Sequence, residues 1–262
     1  MLKHLAVAAL AAVSLSLFSC GRGDEADSAE DADESAVVTS SESSLTTELS
    51  DEVTQPMSAT ATDLATAAST RVASHVQPAG CLTVTVNGAT VTYVFNDCTG
   101  PYGMVHVTGT VTAVYSRNAT GGVQAVITGT GVKVNNAVVD LNATVNASQS
   151  AGVKRAEVVS NATGTGPRGG KIDRNGTYTI TYDTTAECVT VDGTWTTKAA
   201  LRTSSTTVAG YKRCKGTCPV AGGTITNTTG RTVITLAYDG SAVASWNTSG
   251  GRSGTVNLQC GK

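Results

Sequence analysis

Large aromatic side chains are scarce in this sequence, with two Phe, seven Tyr and two Trp among 262 residues. A core packed mainly on aromatic rings is therefore excluded, and the interior must consist of Val, Ile, Leu and Ala. After residue 20 no apolar run reaches the roughly 18 residues that a membrane-spanning helix needs. Only 15% of the residues are charged. The length allows one large all-β domain or two small ones.

The N-terminus carries the pattern of an export signal. A short basic start precedes an apolar run over 5–18. This combination, which is too short for a permanent anchor, predicts a secretory signal peptide. Its ending, Leu17-Phe18-Ser19-Cys20, resembles the lipobox of bacterial lipoproteins.

The lipoprotein resemblance implies a processing route. The signal peptide 1–19 is cleaved before Cys20, which carries a diacylglyceryl thioether and an acylated amino group, with palmitate as the expected acyl chain. More than one chain is needed for stable anchoring, because each buried methylene contributes only about 0.8 kcal/mol. In that family an Asp after the cysteine often marks inner-membrane retention. Gly21 stands there instead, so we expect the outer membrane. The alternative is an ordinary cleaved signal with an incidental cysteine.

Residues 20–56 are predicted to form an acidic tether. Large apolar residues are few and carboxylates are concentrated over 24–34, a composition that cannot offset the entropy of ordering. The charge is divided along the chain. Residues 21–63 hold twelve acidic side chains and one basic, a net charge of −11, whereas 64–262 hold sixteen basic and eight acidic, a net charge of +8.

One helix is expected before the main body of the chain. Apolar residues recur at helical spacing over 58–76, and Gln77-Pro78 ends the pattern because a residue before proline disfavours the α region. We predict an amphipathic helix that packs against the domain that follows.

The body of the chain predicts antiparallel β-structure. From residue 81 to 260 apolar residues alternate with Thr, Asn and Ser, which is typical of sheets with one wet face. Turn residues divide this region into about eleven to thirteen strands. The prediction is a single domain, 57–262, built as a curved antiparallel sheet, an open barrel or a sandwich. The turn signal Asn87-Gly88 predicts a first hairpin that pairs Leu82 with Tyr93 and Val84 with Val91.

A Gly-Thr pair recurs at irregular spacing, for example at Gly109-Thr110, Gly129-Thr130 and Gly176-Thr177. A solenoid needs a fixed period, so we expect bends or close backbone approaches at these glycines instead. The Thr-rich face is open to two interpretations. Thr is a good strand residue, and a regular Thr surface can also bind ordered water or glycans.

Six cysteines besides Cys20 predict disulfides, because an exported chain is oxidised. Six cysteines allow fifteen pairings. We expect Cys81–Cys98 across the first hairpin, Cys214–Cys218 across a short loop and Cys188–Cys260 at the last strand. The alternative pairs Cys188 with Cys214.

No catalytic constellation is apparent. His106 is the main candidate base, but the chain has no nucleophile elbow, and its carboxylates are scattered. A zinc site needs four ligands, commonly as close pairs, and neither His75 nor His106 has a neighbouring ligand. We expect no cofactor, no metal and no enzymatic activity. A hydrolase that acts on envelope polymers is the alternative, and a deep pocket with convergent carboxylates or His106 would favour it.

Basic residues are expected to meet anionic partners. They occur in two stretches of the chain, and together they are candidates for binding anionic lipid or acidic polysaccharide. No nucleic acid is expected, because no recognised nucleic-acid module is present. The candidate residues are Lys154, Arg155, Arg168, Lys171, Arg174, Lys212, Arg213 and Lys215.

The body also resembles uncharacterised Thr/Gly-rich lipoproteins of myxobacterial type. The resemblance implies export and a β-rich body, and it implies no activity. We therefore expect a membrane-anchored envelope lipoprotein with a structural or binding role. The matching stretches are Pro78-Ala-Gly-Cys81, Asn96-Asp-Cys-Thr-Gly-Pro101, Cys218-Pro-Val-Ala-Gly-Gly223, Tyr238-Asp-Gly240 and Cys260.

Overall fold

The computed structural model describes residues 60–73, 76–99, 106–118, 121–166, 169–199 and 202–258. The predicted signal peptide, Cys20 and the tether lie outside these residues. One helix is followed by thirteen strands. They are α1 (Ala61–Ala73), β1 (Leu82–Asn87), β2 (Thr90–Thr99), β3 (His106–Arg117), β4 (Val123–Val134), β5 (Ala137–Ser150), β6 (Val153–Thr165), β7 (Lys171–Asp183), β8 (Cys188–Ala199), β9 (Arg202–Cys214), β10 (Thr224–Thr229), β11 (Thr232–Tyr238), β12 (Val243–Thr248) and β13 (Ser253–Asn257).

All thirteen strands form one antiparallel sheet, and their order in the sheet is their order in the chain. Each strand therefore pairs with the strands before and after it. Among the described residues β1 and β13 have one paired neighbour each, so the sheet is open. The prediction of an antiparallel all-β chain with about eleven to thirteen strands is confirmed.

The first hairpin has a different register from the predicted one. Leu82 pairs with Phe95 and Val84 with Tyr93, and the pair Asn87–Thr90 closes the turn. The turn residues are Gly88, with φ of 57°, and Ala89, rather than Asn87 and Gly88. The shift moves the partner by two residues, so the apolar side chains stay on the predicted face, because the side-chain period of a strand is two.

The inward side chains form two apolar clusters. The first contains residues of α1 and the inward faces of β1–β7, with Leu64, Ala65, Ala68 and Val72 from the helix. The second joins β8–β12 and includes Trp195. As the composition requires, Val and Ala are the commonest residues of the first cluster.

The helix is shorter than the predicted span 58–76 and begins after a side-chain cap. Asp63 N–H donates to Thr60 Oγ1 (3.2 Å), and Thr60 N–H and Oγ1–H donate to Asp63 Oδ2 (3.0 and 2.7 Å). This reciprocal arrangement satisfies amides that a helix start leaves without partners. The two hydrogen bonds from Thr60 lower the pKa of Asp63.

Glycines of the Gly-Thr pairs make room on the inward face. A Cβ on Gly176 would lie 2.6 Å from Trp195 Cβ, and one on Gly193 would meet Tyr178 Cβ. Each glycine is the cross-strand partner of that aromatic residue. The expected close approach is present here, and Gly109 lies at one of the register shifts of the sheet, between β3 and β4. In these pairs the glycine points inward and the threonine outward.

Two disulfides have both cysteines among the described residues. Cys81–Cys98 is present as predicted, because a bulge between Phe95 and Cys98 returns β2 toward the start of β1. The second bond joins Cys188 to Cys214, which the sequence left as the alternative.

The predicted pairs Cys214–Cys218 and Cys188–Cys260 are therefore wrong. Cys188 and Cys214 are direct partners at the shared end of β8 and β9, so the sheet itself brings their sulfur atoms together. Cys218 is also part of a disulfide, and Cys260 lies outside the described residues.

Candidate binding surface

The outward face of the sheet carries two continuous rows of side chains that run across the strands. The first, called row A, crosses β1–β10 with one residue from each strand. Its members are Thr85, Thr92, Thr112, Thr128, Asn142, Asn161, Asn175, Thr196, Ser205 and Thr228. All are Thr, Ser or Asn, and none is buried.

The second row, called row B, lies beside row A and crosses all thirteen strands. It adds valine to the same residue types, and it too contains no charged and no buried side chain. Its members are Asn87, Thr90, Val114, Val126, Thr144, Val159, Thr177, Thr194, Thr207, Thr226, Thr235, Asn247 and Ser253.

The geometry of a sheet fixes the spacing of these rows. Neighbouring strands lie about 4.8 Å apart, and successive outward residues of one strand are about 7 Å apart. Row A therefore extends for roughly 40 Å. Within row B, Thr226 Oγ1 lies 3.4 Å from Thr235 Oγ1.

Charged side chains occur in the flanking rows. Beyond row A, Asp173 and Lys198 are cross-strand partners. Beyond row B, Glu157 and Asp192 both face Thr179 across their strand pairs. Rows A and B together thus form an uncharged band between charged borders.

A shallow open depression of about 170 Å³ lies in this band where β6, β7 and β8 meet. It is called the Asn161–Asn175 depression after two residues of its lining. Its polar side chains are amides and hydroxyls, and Val159 adds an apolar surface that is 48% exposed. Neither a carboxylate nor a histidine lines it. The lining residues are Val159, Ser160, Asn161, Asn175, Gly176, Thr177, Thr194, Trp195 and Thr196.

Basic residues that are close in the sequence are not grouped together in the sheet. Because β6 and β7 are antiparallel, Lys154 faces Tyr182 while Lys171 faces Thr165 at the other end of the hairpin. Arg155 instead shares an outward row with Lys212, through Thr181 and Thr190.

Two of the predicted anion-binding arginines are not at the surface. Arg174 is 1% exposed and Arg213 is 7% exposed, because both occupy inward positions of their strands. The guanidinium of Arg174 lies over the Trp195 ring, and burial lowers its pKa to about 10. Arg155 and Lys215 are exposed but form ion pairs with Glu157 and Glu187. Arg168 lies outside the described residues.

The candidate base His106 lies at the surface beside a carboxylate. His106 Nδ1 is 2.9 Å from Asp97 Oδ1, and both side chains are more than half exposed. Asp97 lies within the β2 bulge and has φ of 53°. The pair resembles the base and orienting groups of a hydrolase, but it stands on the open surface outside the Asn161–Asn175 depression. Among the described residues no three His, Cys, Asp or Glu side chains are grouped to hold a metal ion.

The sequence did not identify Asn161 and Asn175 as candidate site residues. Each looks like an ordinary outward strand residue, and only the register of β6 on β7 makes them direct partners. No protein-family model, no curated protein and no solved structure matches the chain. In the part of the chain that the structure describes, no helix is long and apolar enough to cross a membrane.

Proposed function

We propose that the chain is an exported lipoprotein, anchored to the outer membrane through lipid on Cys20, with a non-enzymatic binding or structural role at the cell envelope. The observation that carries the binding role is the uncharged band of rows A and B. A broad solvent-facing sheet surface with hydroxyl, amide and methyl groups suits binding of an extended partner, and no charged side chain interrupts it.

Export is supported by the cysteine chemistry. Cys81–Cys98 and Cys188–Cys214 are bonded, and structural disulfides persist mainly in oxidising compartments. The lipobox pattern at Leu17–Cys20 supports lipidation, and the acidic tether 20–56 would hold the domain away from the membrane.

The architecture proposed for the domain is a curved sheet that wraps α1 as an incomplete barrel. Its support is that helix residues and the inward faces of β1–β7 share one buried cluster. The helix contacts β1, β2 and β3, so its apolar side is directed at the inward face.

Membrane anchoring is tested by Cys20→Ala. We expect the wild-type protein in the membrane fraction with the mass of a lipid-modified chain, and the variant as an unprocessed or soluble protein. The matched control is Ser14→Ala, which changes a residue of the predicted signal peptide and leaves the lipobox Leu17-Phe18-Ser19-Cys20 intact. Membrane partition and mass that do not change in Cys20→Ala would refute the anchoring.

An anionic lipid headgroup or acidic polysaccharide is proposed as a partner of the exposed basic residues. The supporting observation is the outward row that holds Arg155 and Lys212, with Lys215 at the same end of the sheet. Because carboxylates already pair with Arg155 and Lys215, the binding should be weak.

This partner is tested by co-sedimentation with anionic vesicles. Binding by residues 57–262 should exceed binding by 21–262, since the acidic tether competes for the same basic residues. It should be lost as the Debye length falls from about 10 Å at 0.1 M salt to 3 Å at 1 M. Equal binding by the two chains, or binding indifferent to salt, would contradict the proposal.

A further inference from the structure

We propose that the Asn161–Asn175 depression is a subsite for one sugar unit of a neutral polysaccharide, whose chain lies along rows A and B. This inference rests on the proposed binding role and names its ligand class. The depression lies inside the uncharged band, and its outward lining side chains belong to rows A and B.

The lining offers the donors and acceptors that sugar hydroxyls need. Asn161 and Asn175 are direct cross-strand partners, and each amide carries two N–H donors and one carbonyl acceptor. Thr177, Thr194 and Thr196 add hydroxyls that both donate and accept. A sugar hydroxyl has the same dual capacity, so its donor and acceptor functions can both be met by this lining.

The lining also offers apolar contact. Val159 is 48% exposed and stands directly opposite Thr177. Its methyl groups, with those of the threonines, can cover the C–H face of a sugar ring. Methyl groups beside amides would not favour a strongly hydrated ion.

Charge decides between a neutral and an ionic ligand. None of the lining side chains is charged, whereas the bordering rows hold three carboxylates and one cation, namely Glu157, Asp173, Asp192 and Lys198. An anionic polymer would meet these carboxylates on both sides of the band, and it would find no cation within it. A neutral polymer is not repelled at either border.

The rows extend the site beyond one sugar. A polymer that runs across the strands meets another Thr, Asn or Ser about every 4.8 Å, with Asn142 on one side of Asn161 and Ser205 beyond Thr196. Single contacts of this kind are weak, but a chain that occupies several of them at once gains avidity. The structure therefore favours a polysaccharide over a free monosaccharide.

The test is affinity electrophoresis of the full chain in detergent, in gels that contain a soluble neutral glucan, either an α-1,6-glucan or a β-1,3-glucan. A polyuronate gel serves as the anionic comparison. We expect retardation by at least one neutral glucan, with little change between 0.1 M and 1 M salt because no ion pair is involved. The variant Asn161→Ala/Asn175→Ala should bind about tenfold more weakly.

The matched control is Asn257→Ala, an exposed asparagine on β13 outside both rows, which should bind like the wild type. A second variant, Thr177→Glu, fills part of the depression with a longer, strongly hydrated side chain and should also weaken retardation. Circular dichroism and thermal unfolding establish that each variant is folded. If one depression variant does not fold, the other variant alone tests the inference.

Three outcomes would overturn the inference. They are the absence of retardation by either neutral glucan, retardation that both depression variants retain, and retardation only by the polyuronate with loss at 1 M salt. Membrane partition of the Cys20→Ala variant is measured separately from glucan binding. Lipid anchoring can therefore be confirmed while neutral-glucan binding is rejected, or rejected while glucan binding is confirmed.

Discussion

The guanidinium of Arg174 lies 5.7 Å from the centre of the Trp195 ring, at the boundary between the two apolar clusters. Arg174 is on β7, the last strand of the first cluster, and Trp195 is on β8, where the second begins. A buried cation over an indole face is attracted by the ring, yet its desolvation opposes folding.

Arg174→Met is expected to leave the free energy of unfolding unchanged or to raise it, because the thioether chain fills the space without a buried charge. Arg174→Ala should lower it by about 2–5 kcal/mol, since it leaves a cavity. Urea unfolding followed by circular dichroism measures both. A Met variant as unstable as the Ala variant would show that the charge itself is required.

The Cys188–Cys214 disulfide should contribute about 3.5 kcal/mol to stability on the chain-entropy model, because it closes a separation of 26 residues. Cys188→Ala/Cys214→Ala should lose about this amount, and Cys81→Ala/Cys98→Ala slightly less. Peptide mapping under non-reducing conditions should recover the 188–214 pair. Recovery of a 188–260 or 214–218 pair would contradict the structure.

Gly176→Ala should destabilise the domain by about 1–3 kcal/mol through overpacking, since its Cβ would press on Trp195 Cβ. The control is Gly250→Ala, whose Cβ would meet only Thr248 Oγ1 at an ordinary 3.8 Å. Thermal unfolding of the two variants should give a clearly lower midpoint for Gly176→Ala. Equal midpoints would mean that β7 and β8 are not packed in this register.

Alkaline pH should destabilise the second cluster. Tyr211 and Tyr238 pack edge to face at 5.2 Å, and burial raises the pKa of Tyr211 to about 12 and that of Tyr238 further. An unfolded tyrosine loses its proton near pH 10. Between these pH values the folded state therefore binds more protons, and stability falls as the pH rises.

Urea unfolding between pH 8 and 11 should show this loss. Tyr211→Phe should make the curve shallower by about 1.4 kcal/mol at pH 11, because its ring remains while its hydroxyl no longer titrates. Parallel curves for the wild type and the variant would argue that Tyr211 is not buried.

The alternation of apolar and polar residues made the strands predictable, because each strand shows it without reference to its partner. Register was not predictable, since a shift of two residues leaves alternation unchanged. Leu82 therefore faces the predicted side but pairs with Phe95 rather than Tyr93. The disulfide partner of Cys188 also depends on register, because the pairing of β8 with β9 places Cys214 directly opposite it.

The candidate site illustrates the same limit. Residue types along one strand predict a polar outward face, and a regular Thr surface of this kind can bind ordered water or glycans. The cross-strand pairing of Asn161 with Asn175, and the separation of Lys154 from Lys171, follow only from how β6 pairs with β7.

The strictly sequential strand order has a consequence for how the domain is made. Every strand has its hydrogen-bonding partners next to it in the chain, so each pairing step closes a short loop at small entropic cost, and local pairing favours rapid folding. The proposed export, with the N-terminus first, would let each strand pair with its predecessor as it emerges. The sheet can also gain or lose a whole hairpin with its inward and outward faces preserved, so related chains can differ in length by pairs of strands.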